Sequence, residues 1–266
     1  MKHKQQHYVK QVIQAGLSPL LMGESGTGKS TIAKSIADEL NLQFYAVMGT
    51  AQLSVGQLLG FTDVNGNYSP TSFRQAIQSG GIFAIEELTA VDANVILCLN
   101  SIDNGFVPFP DQVVDVHPDF HLIATANPVT EQYGARRQLD FSTINRYYSI
   151  NIEHDDNLAV NLSSPIVIEQ VQLLRDFLTS YGSSIQLTMR DEIKLQKLIN
   201  LGLDDQPVLR LIDTESQDMK DAALAFFEQH ASTQAELLAK QKADEEYAKL
   251  TQHDMQTLDE LLTKIQ

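Results

Sequence analysis

The sequence predicts an α/β domain followed by an all-helical one, and three observations carry that prediction. A strand-length apolar run, Pro19–Met22, enters a glycine-rich loop and then a helical pattern. Further apolar runs of strand length alternate with helical periodicity through the first half of the chain, and from Pro165 onward the periodicity is helical alone. The expected division is an α/β domain over residues 1–155 and a helical lid with a long C-terminal helix over 156–266.

Taken in order, Gln5 to Ala15 reads as a short helix with Tyr8, Val9, Val12 and Ile13 inward, ended by Gly16. After the strand at 19–22, Gly23-Glu24-Ser25-Gly26-Thr27-Gly28-Lys29-Ser30 fills every fixed position of G-x-x-x-x-G-K-[ST]. Ile32, Ala33, Ile36, Ala37 and Leu40 then recur at helical spacing. Strand, glycine loop and helix together are the setting in which this motif cradles phosphate. The glycines let backbone N–H groups turn inward around an anion, and the helix N-terminus adds donors and partial positive charge. Lys29 is placed to reach the β- and γ-phosphates and Ser30 to ligate Mg²⁺. Gly23, Glu24, Ser25, Gly26, Thr27, Gly28, Lys29, Ser30 and Thr31 make up the expected binding loop for a nucleoside triphosphate. The competing reading is a glycine turn between strand and helix that matches by accident, and the match at every fixed position within the flanks the motif requires weighs against it.

Phe44–Met48 reads as a second strand. Gly60–Tyr68 carries Asn65-Gly66, a hairpin turn signal. Ser69 is the expected cap of a helix with Pro70 in its first turn, running to Gly80-Gly81. Gly81 to Glu87 places four apolar residues before two carboxylates, which suits a buried strand whose carboxyl end opens into a site. The first carboxylate, Glu86, is expected to help hold Mg²⁺ and the second, Glu87, to polarise an attacking water. Two solvated acids at a strand end would be the bland reading; their place downstream of a phosphate loop weighs against it.

Asp92–Ile102 reads as a helix with Val95, Ile96, Leu99 and Ile102 inward. Phe106–Val116, with Pro108 and Pro110, suits an edge hairpin or loop rather than a central strand. Phe120–Pro128 reads as a further buried strand that ends on a polar residue; Pro128 forbids continued pairing, so Asn127 is presented at its end. Tyr147–Ile152 gives one more strand. Helices follow at roughly 166–180, 189–202, 217–230 and 232–264. The last carries apolar residues in threes and fours amid Lys and Glu, fitting a partner-binding arm or an ordinary amphipathic helix.

These motifs together resemble an AAA+ ATPase of the P-loop type, in its MoxR-like, dynein-related branch. The resemblance rests on the phosphate loop, the Ile82–Glu87 strand, His121–Pro128 and Arg146-Tyr147-Tyr148. Val113–Asn127 is most similar to the CbbQ/NorQ group and the cobalt-chelatase ATPase subunit. The resemblance implies a five-stranded parallel sheet in the order 5-1-4-3-2, a helical lid, and homo-oligomeric rings, usually hexameric, with ATP and Mg²⁺ bound between subunits. It implies that Asn127 positions the water near the γ-phosphate. It also implies that Arg146 reaches the neighbouring subunit's site as an arginine finger, with Arg136 or Arg137 able to share that role, and that Arg190 reads the nucleotide from the lid. Two residues depart from the pattern. Glu86 replaces an aspartate, shifting its carboxylate by roughly 1.5 Å, and Asn145 replaces an acid before Arg146. An active ATPase is expected, with both departures in the direction of slow turnover.

Composition limits the partners. A single cysteine, Cys98, excludes an internal disulfide and reads as a small core residue. No apolar run approaches the ~20 residues that span a bilayer, and the N-terminal residues lack a signal peptide's apolar centre. A cytoplasmic protein without membrane contact is expected. The net charge is −15, with 9 Lys/Arg against 13 Asp/Glu in residues 1–150 and 10 against 21 in residues 151–266. Such a chain is a poor non-specific nucleic-acid binder. The expected function is remodelling of a protein or protein–metal assembly, beside a partner with a von Willebrand A domain. A nucleic-acid-associated motor of a phage or defence system, or a slow nucleotide-switched scaffold, stands as the alternative.

Overall fold

The computed structural model describes residues 2–128, 139–155, 163–183, 185, 187–202 and 207–230. The chain divides into two units, Met1–Leu158 and Ala159–Gln266.

In the first unit, helix α1 (Gln6–Gln14) buries Val9, Val12 and Ile13. Tyr8, expected inward, is exposed, because its hydroxyl meets that of Tyr148 at 2.5 Å on the surface. Strand β1 (Pro19–Met22) passes through the glycine loop into α2 (Lys29–Leu40), and β2 (Phe44–Met48) follows. Helix α3 (Val55–Leu59) starts on a capping box made by Ser54 and Gln57. Strands β3 (Phe61–Thr62) and β4 (Tyr68–Ser69) form a hairpin. In its tip the Asp63 carboxylate accepts from the backbone N–H groups of Asn65 and Asn67, each at 2.8 Å. Helix α4 (Ser72–Ser79) is capped by Thr71, whose hydroxyl oxygen accepts from Arg74 N at 3.2 Å. The expected cap, Ser69, is instead committed to pairing with Phe61 in the hairpin.

Strand β5 (Gly81–Glu86) leads through a 3₁₀ turn, Leu88–Ala90, to α5 (Ala93–Leu99) and a second 3₁₀ turn, Asn100–Asn104. Cys98 lies at the edge of the core, half-buried rather than enclosed. Strands β6 (Phe106–Pro108) and β7 (Val113–Asp115) pair antiparallel as a second hairpin. Strand β8 (Phe120–Ala126), helix α6 (Phe141–Ile144) and strand β9 (Tyr148–Asn151) complete the unit.

The sheet order is β2-β5-β8-β1-β9, with every pair parallel. Counting only these five strands, the order from the β9 edge is fifth, first, fourth, third, second. A parallel sheet is covered on both faces, so its strands read as continuous apolar runs, and successive residues enter opposite cores. Leu20, Phe83, Ile85 and Leu122 pack on one side with Phe73 and Val107. Leu21, Ile82, Ile123 and Ile150 pack on the other with Ile32 and Ile36 of α2.

The second unit holds α7 (Pro165–Tyr181), α8 (Met189–Leu201), a 3₁₀ turn Pro207–Ile212 and α9 (Gln217–Gln229). Val171, Leu174, Leu195, Ile212 and Ala223 form its core. The helix expected over 232–264 lies outside the described residues. Among the described residues no helix is long and apolar enough to cross a membrane.

Candidate functional site

Three neighbouring strands, β5, β8 and β1, end on the same side of the sheet, and their ladder spacing of about 4.8 Å brings their carboxyl ends within side-chain reach. Each ends on one part of the site: Glu86 and Glu87 after β5, Asn127 after β8, the glycine loop after β1. The loop is joined to β8 directly, through Gly23 N donating to Ala126 O at 3.3 Å.

Gly28 caps α2 with φ 91°, a left-handed backbone that a Cβ would strain, and it offers no side-chain acceptor. The first N–H groups of α2 therefore have no side-chain cap, and the helix dipole adds positive potential there. This donor set fits a phosphate chain. Lys29, the first residue of α2, is 7% exposed. Its ammonium donates to Gly23 O at 2.6 Å, Glu24 O at 2.7 Å and Asn127 Oδ1 at 2.7 Å. A buried ammonium is tolerated only when such acceptors meet it. Ser30 is half-buried behind it, and Thr31 is exposed.

Asn127 is 3% exposed and faces both ways: its carbonyl oxygen accepts from Lys29, and its Nδ2 donates to Glu87 Oε1 at 2.8 Å. The structure thus brings together Lys29, Asn127 and Glu87, three residues spread over 98 positions of the chain. Glu86 is half-buried at the end of β5, opposite Met48 of β2.

Two residues not anticipated from the sequence hold Glu87. Its backbone is left-handed, φ 59°, at a cost of about 1–2 kcal/mol for a residue with a Cβ. Thr125, on β8, accepts from Glu87 N at 3.2 Å, and Gly49 N donates to Glu86 O at 2.6 Å. The signal for Thr125 was its place two residues before Asn127, where strand alternation points both to the same side. Gly49 carried no local signal beyond following a strand. A Cβ there would stand 2.5 Å from Glu86 O and 2.8 Å from Glu87 O. Gly49→Ala should therefore push the Glu86–Glu87 backbone away and destabilise the fold by about 1–3 kcal/mol, the usual cost of overpacking, which denaturant titration of the variant beside the parent checks.

Arg146 stands apart from the Lys29–Asn127–Glu87 network. It follows α6 and pairs with Asp103, Nη1 to Oδ2 at 2.7 Å, with both side chains more than a third exposed. The next residue, Tyr147, is anchored inward, and burial pushes its phenol well above the ordinary range. Arg136 and Arg137 lie outside the described residues. Arg190 belongs to the second unit, exposed in the first turn of α8, where Thr188 and Asp191 form a capping box.

Residues 18–147 match the AAA domain (dynein-related subfamily). The chain is 23% identical over 224 residues to an uncharacterized protein of Staphylococcus saprophyticus, across 80% of this chain and 75% of that one. It is 27% identical over 142 residues to Midasin of Dictyostelium discoideum, across 50% of this chain and 2% of Midasin. Among solved structures, it is similar to an ATPase-assigned protein of Cytophaga hutchinsonii, with TM-score 0.50 and 19% identity. It is also similar to NtrX of Brucella abortus in complex with ADP, with TM-score 0.51 and 16% identity. The chain spans 59% and 49% of those two chains and 75% and 76% of its own length in the two matches. Both structural likenesses concern the fold.

Proposed function

We propose, from the match of residues 18–147 to the AAA domain of the dynein-related subfamily, that the protein hydrolyses ATP in a homo-oligomeric ring to remodel a polypeptide substrate. The observation that carries the proposal is the chain of contacts from Lys29 through Asn127 to Glu87, set against the start of α2, which has no side-chain cap. NtrX, which shares the fold, is in complex with ADP, which supports a nucleotide ligand for this chain.

In this reading the loop N–H groups and Lys29 hold the phosphates, with Lys29 exchanging a carbonyl partner for a phosphate oxygen. Glu87 accepts the proton of the attacking water, and Asn127 orients Glu87 while touching Lys29. Ser30 and Glu86 are the residues that would hold Mg²⁺, which when bound neutralises charge on the phosphate oxygens. Arg146 serves the neighbouring subunit's site, and Arg190 reads the nucleotide from the lid. Arg146→Ala should bind ATP normally and hydrolyse it at least about 100-fold more slowly, because the exposed pair with Asp103, at about 1 kcal/mol or less, takes back only a small part of what such an arginine contributes. Mixing it with Glu87→Gln subunits should restore part of the activity. No recovery across mixing ratios, with mixed rings seen by native mass spectrometry, would refute a shared site.

Charge supports a polypeptide over DNA. Segments 60–68 and 106–116, which form the two hairpins, contain Asp63, Asp111 and Asp115 and no Lys or Arg. They expose Phe61, Val64, Phe106 and Val113. DNA binding relies on cations displacing counterions from phosphates, and such a surface repels a phosphate backbone while accepting an apolar or basic chain. A von Willebrand A-domain protein is the proposed helper in delivering that chain. The test is ATPase rate with carboxymethylated α-lactalbumin, and with single- and double-stranded DNA at low salt. Stimulation by the polypeptide alone is expected; salt-sensitive stimulation by DNA would overturn the reading.

A further inference from the structure

Arg74 lies on α4 and is 3% exposed, yet nothing in the nucleotide site uses it. Its Nη1 donates to Asp111 Oδ1 at 2.9 Å and its Nη2 to Asp111 Oδ2 at 3.4 Å, a two-pronged ion pair. Its guanidinium carbon stands 4.5 Å from the centroid of the Phe109 ring and 5.2 Å from that of Tyr68. Tyr68 belongs to β4 of the first hairpin, while Phe109 and Asp111 lie in the turn between β6 and β7 of the second. The two rings also meet edge-on at 6.5 Å, and the Tyr68 hydroxyl donates to Leu59 O at 2.6 Å. One side chain thus holds a ring from each hairpin and the carboxylate of one turn.

Burying an arginine is costly, and an apolar residue of the same volume fills a core as well or better. A guanidinium differs in fixing direction: its fork sets the plane of the carboxylate, and its face sets the rings. We propose that Arg74 is a positioning residue that clamps the two hairpins into one unit, so that their exposed tips grip a substrate chain together. The substrate clause rests on the function proposed above; the clamp is a statement about the two hairpins alone. Its location also links the tips to the sheet. Phe73, the residue before Arg74, packs on Phe83 of β5 with ring centroids 4.9 Å apart, and β5 ends at Glu86.

The test uses the full chain with Cys98→Ser and spin labels at Val64→Cys and Val113→Cys. Label-to-label distances are compared in the parent, Arg74→Met, Arg74→Lys and Asp111→Asn. Arg74→Met keeps the volume of the stem, and Asp111→Asn alters only a turn at the surface, so the second carries the test if the first fails to fold. A single narrow distribution is expected in the parent and a broad one in each variant. Basal ATP hydrolysis should be unchanged while its stimulation by carboxymethylated α-lactalbumin falls about threefold or more. A narrow, unshifted distribution in a folded variant overturns the clamp. So does a parallel loss of melting temperature and basal hydrolysis with the stimulation ratio intact, which is what a merely structural arginine would give. A parent that the polypeptide does not stimulate refutes the substrate reading, while the distances still decide the clamp.

Discussion

Lys29→Ala protein should bind ATP at least about 100-fold more weakly than the parent. Hydrogen bonds to charged groups contribute about 1.5–3 kcal/mol each, and each 1.4 kcal/mol is tenfold in affinity, so two such contacts to phosphate oxygens suffice. A second loss adds to the first. In the free protein Lys29 ties Gly23 O and Glu24 O together, so its removal unbraces the loop that presents the backbone donors. Titration with a fluorescent ATP analogue measures the effect, with circular dichroism showing that the fold survives. Parental affinity in a folded Lys29→Ala protein would mean that phosphates do not bind at this loop.

Glu87→Gln should separate binding from chemistry. The amide keeps the length of the side chain and an oxygen that can accept from Asn127 Nδ2, so the contact seen at 2.8 Å can persist. What it loses is the basicity that takes a proton from water. General-base catalysis contributes about 10²–10⁴-fold, and hydrolysis should fall by that factor with ATP affinity near the parental value. The measurement is phosphate release in single turnover, beside the same titration. Parental hydrolysis would remove Glu87 from the chemistry and leave Glu86 as the carboxylate to examine.

The parts of the site that were legible in the sequence are those whose spacing is local. The phosphate loop is a contiguous string whose geometry is set by its glycines and by the helix it opens. Glu86, Glu87 and Asn127 were legible because a buried parallel strand leaves an apolar run, and a polar residue at its carboxyl end is conspicuous. Thr125, Gly49 and Arg74 act through approach between segments far apart in the chain, and their residue types are equally at home in strands, turns and helix surfaces. Nothing in the string Gly-Thr-Ala at 49–51 says that the Glu86–Glu87 backbone passes within contact of its first residue. Boundaries slipped for a similar reason. Ser69 and Thr71 both offer a hydroxyl before the α4 pattern, and pairing of Ser69 with Phe61 decides between them.

Asn127 has a consequence that a list of contacts conceals. A carboxamide is neutral but polarised end to end, and here a cation stands at one end and an anion at the other, so the group is oriented like a compass needle between two poles. An aspartate of the same shape would satisfy the cation and oppose the anion, and a hydroxyl would be too short to span both. The needle also couples its poles. Drawing the ammonium toward a newly arrived negative charge removes one of the two forces that orient the amide plane, and Glu87 feels the change through a side-chain rotation alone, with no strand having to move.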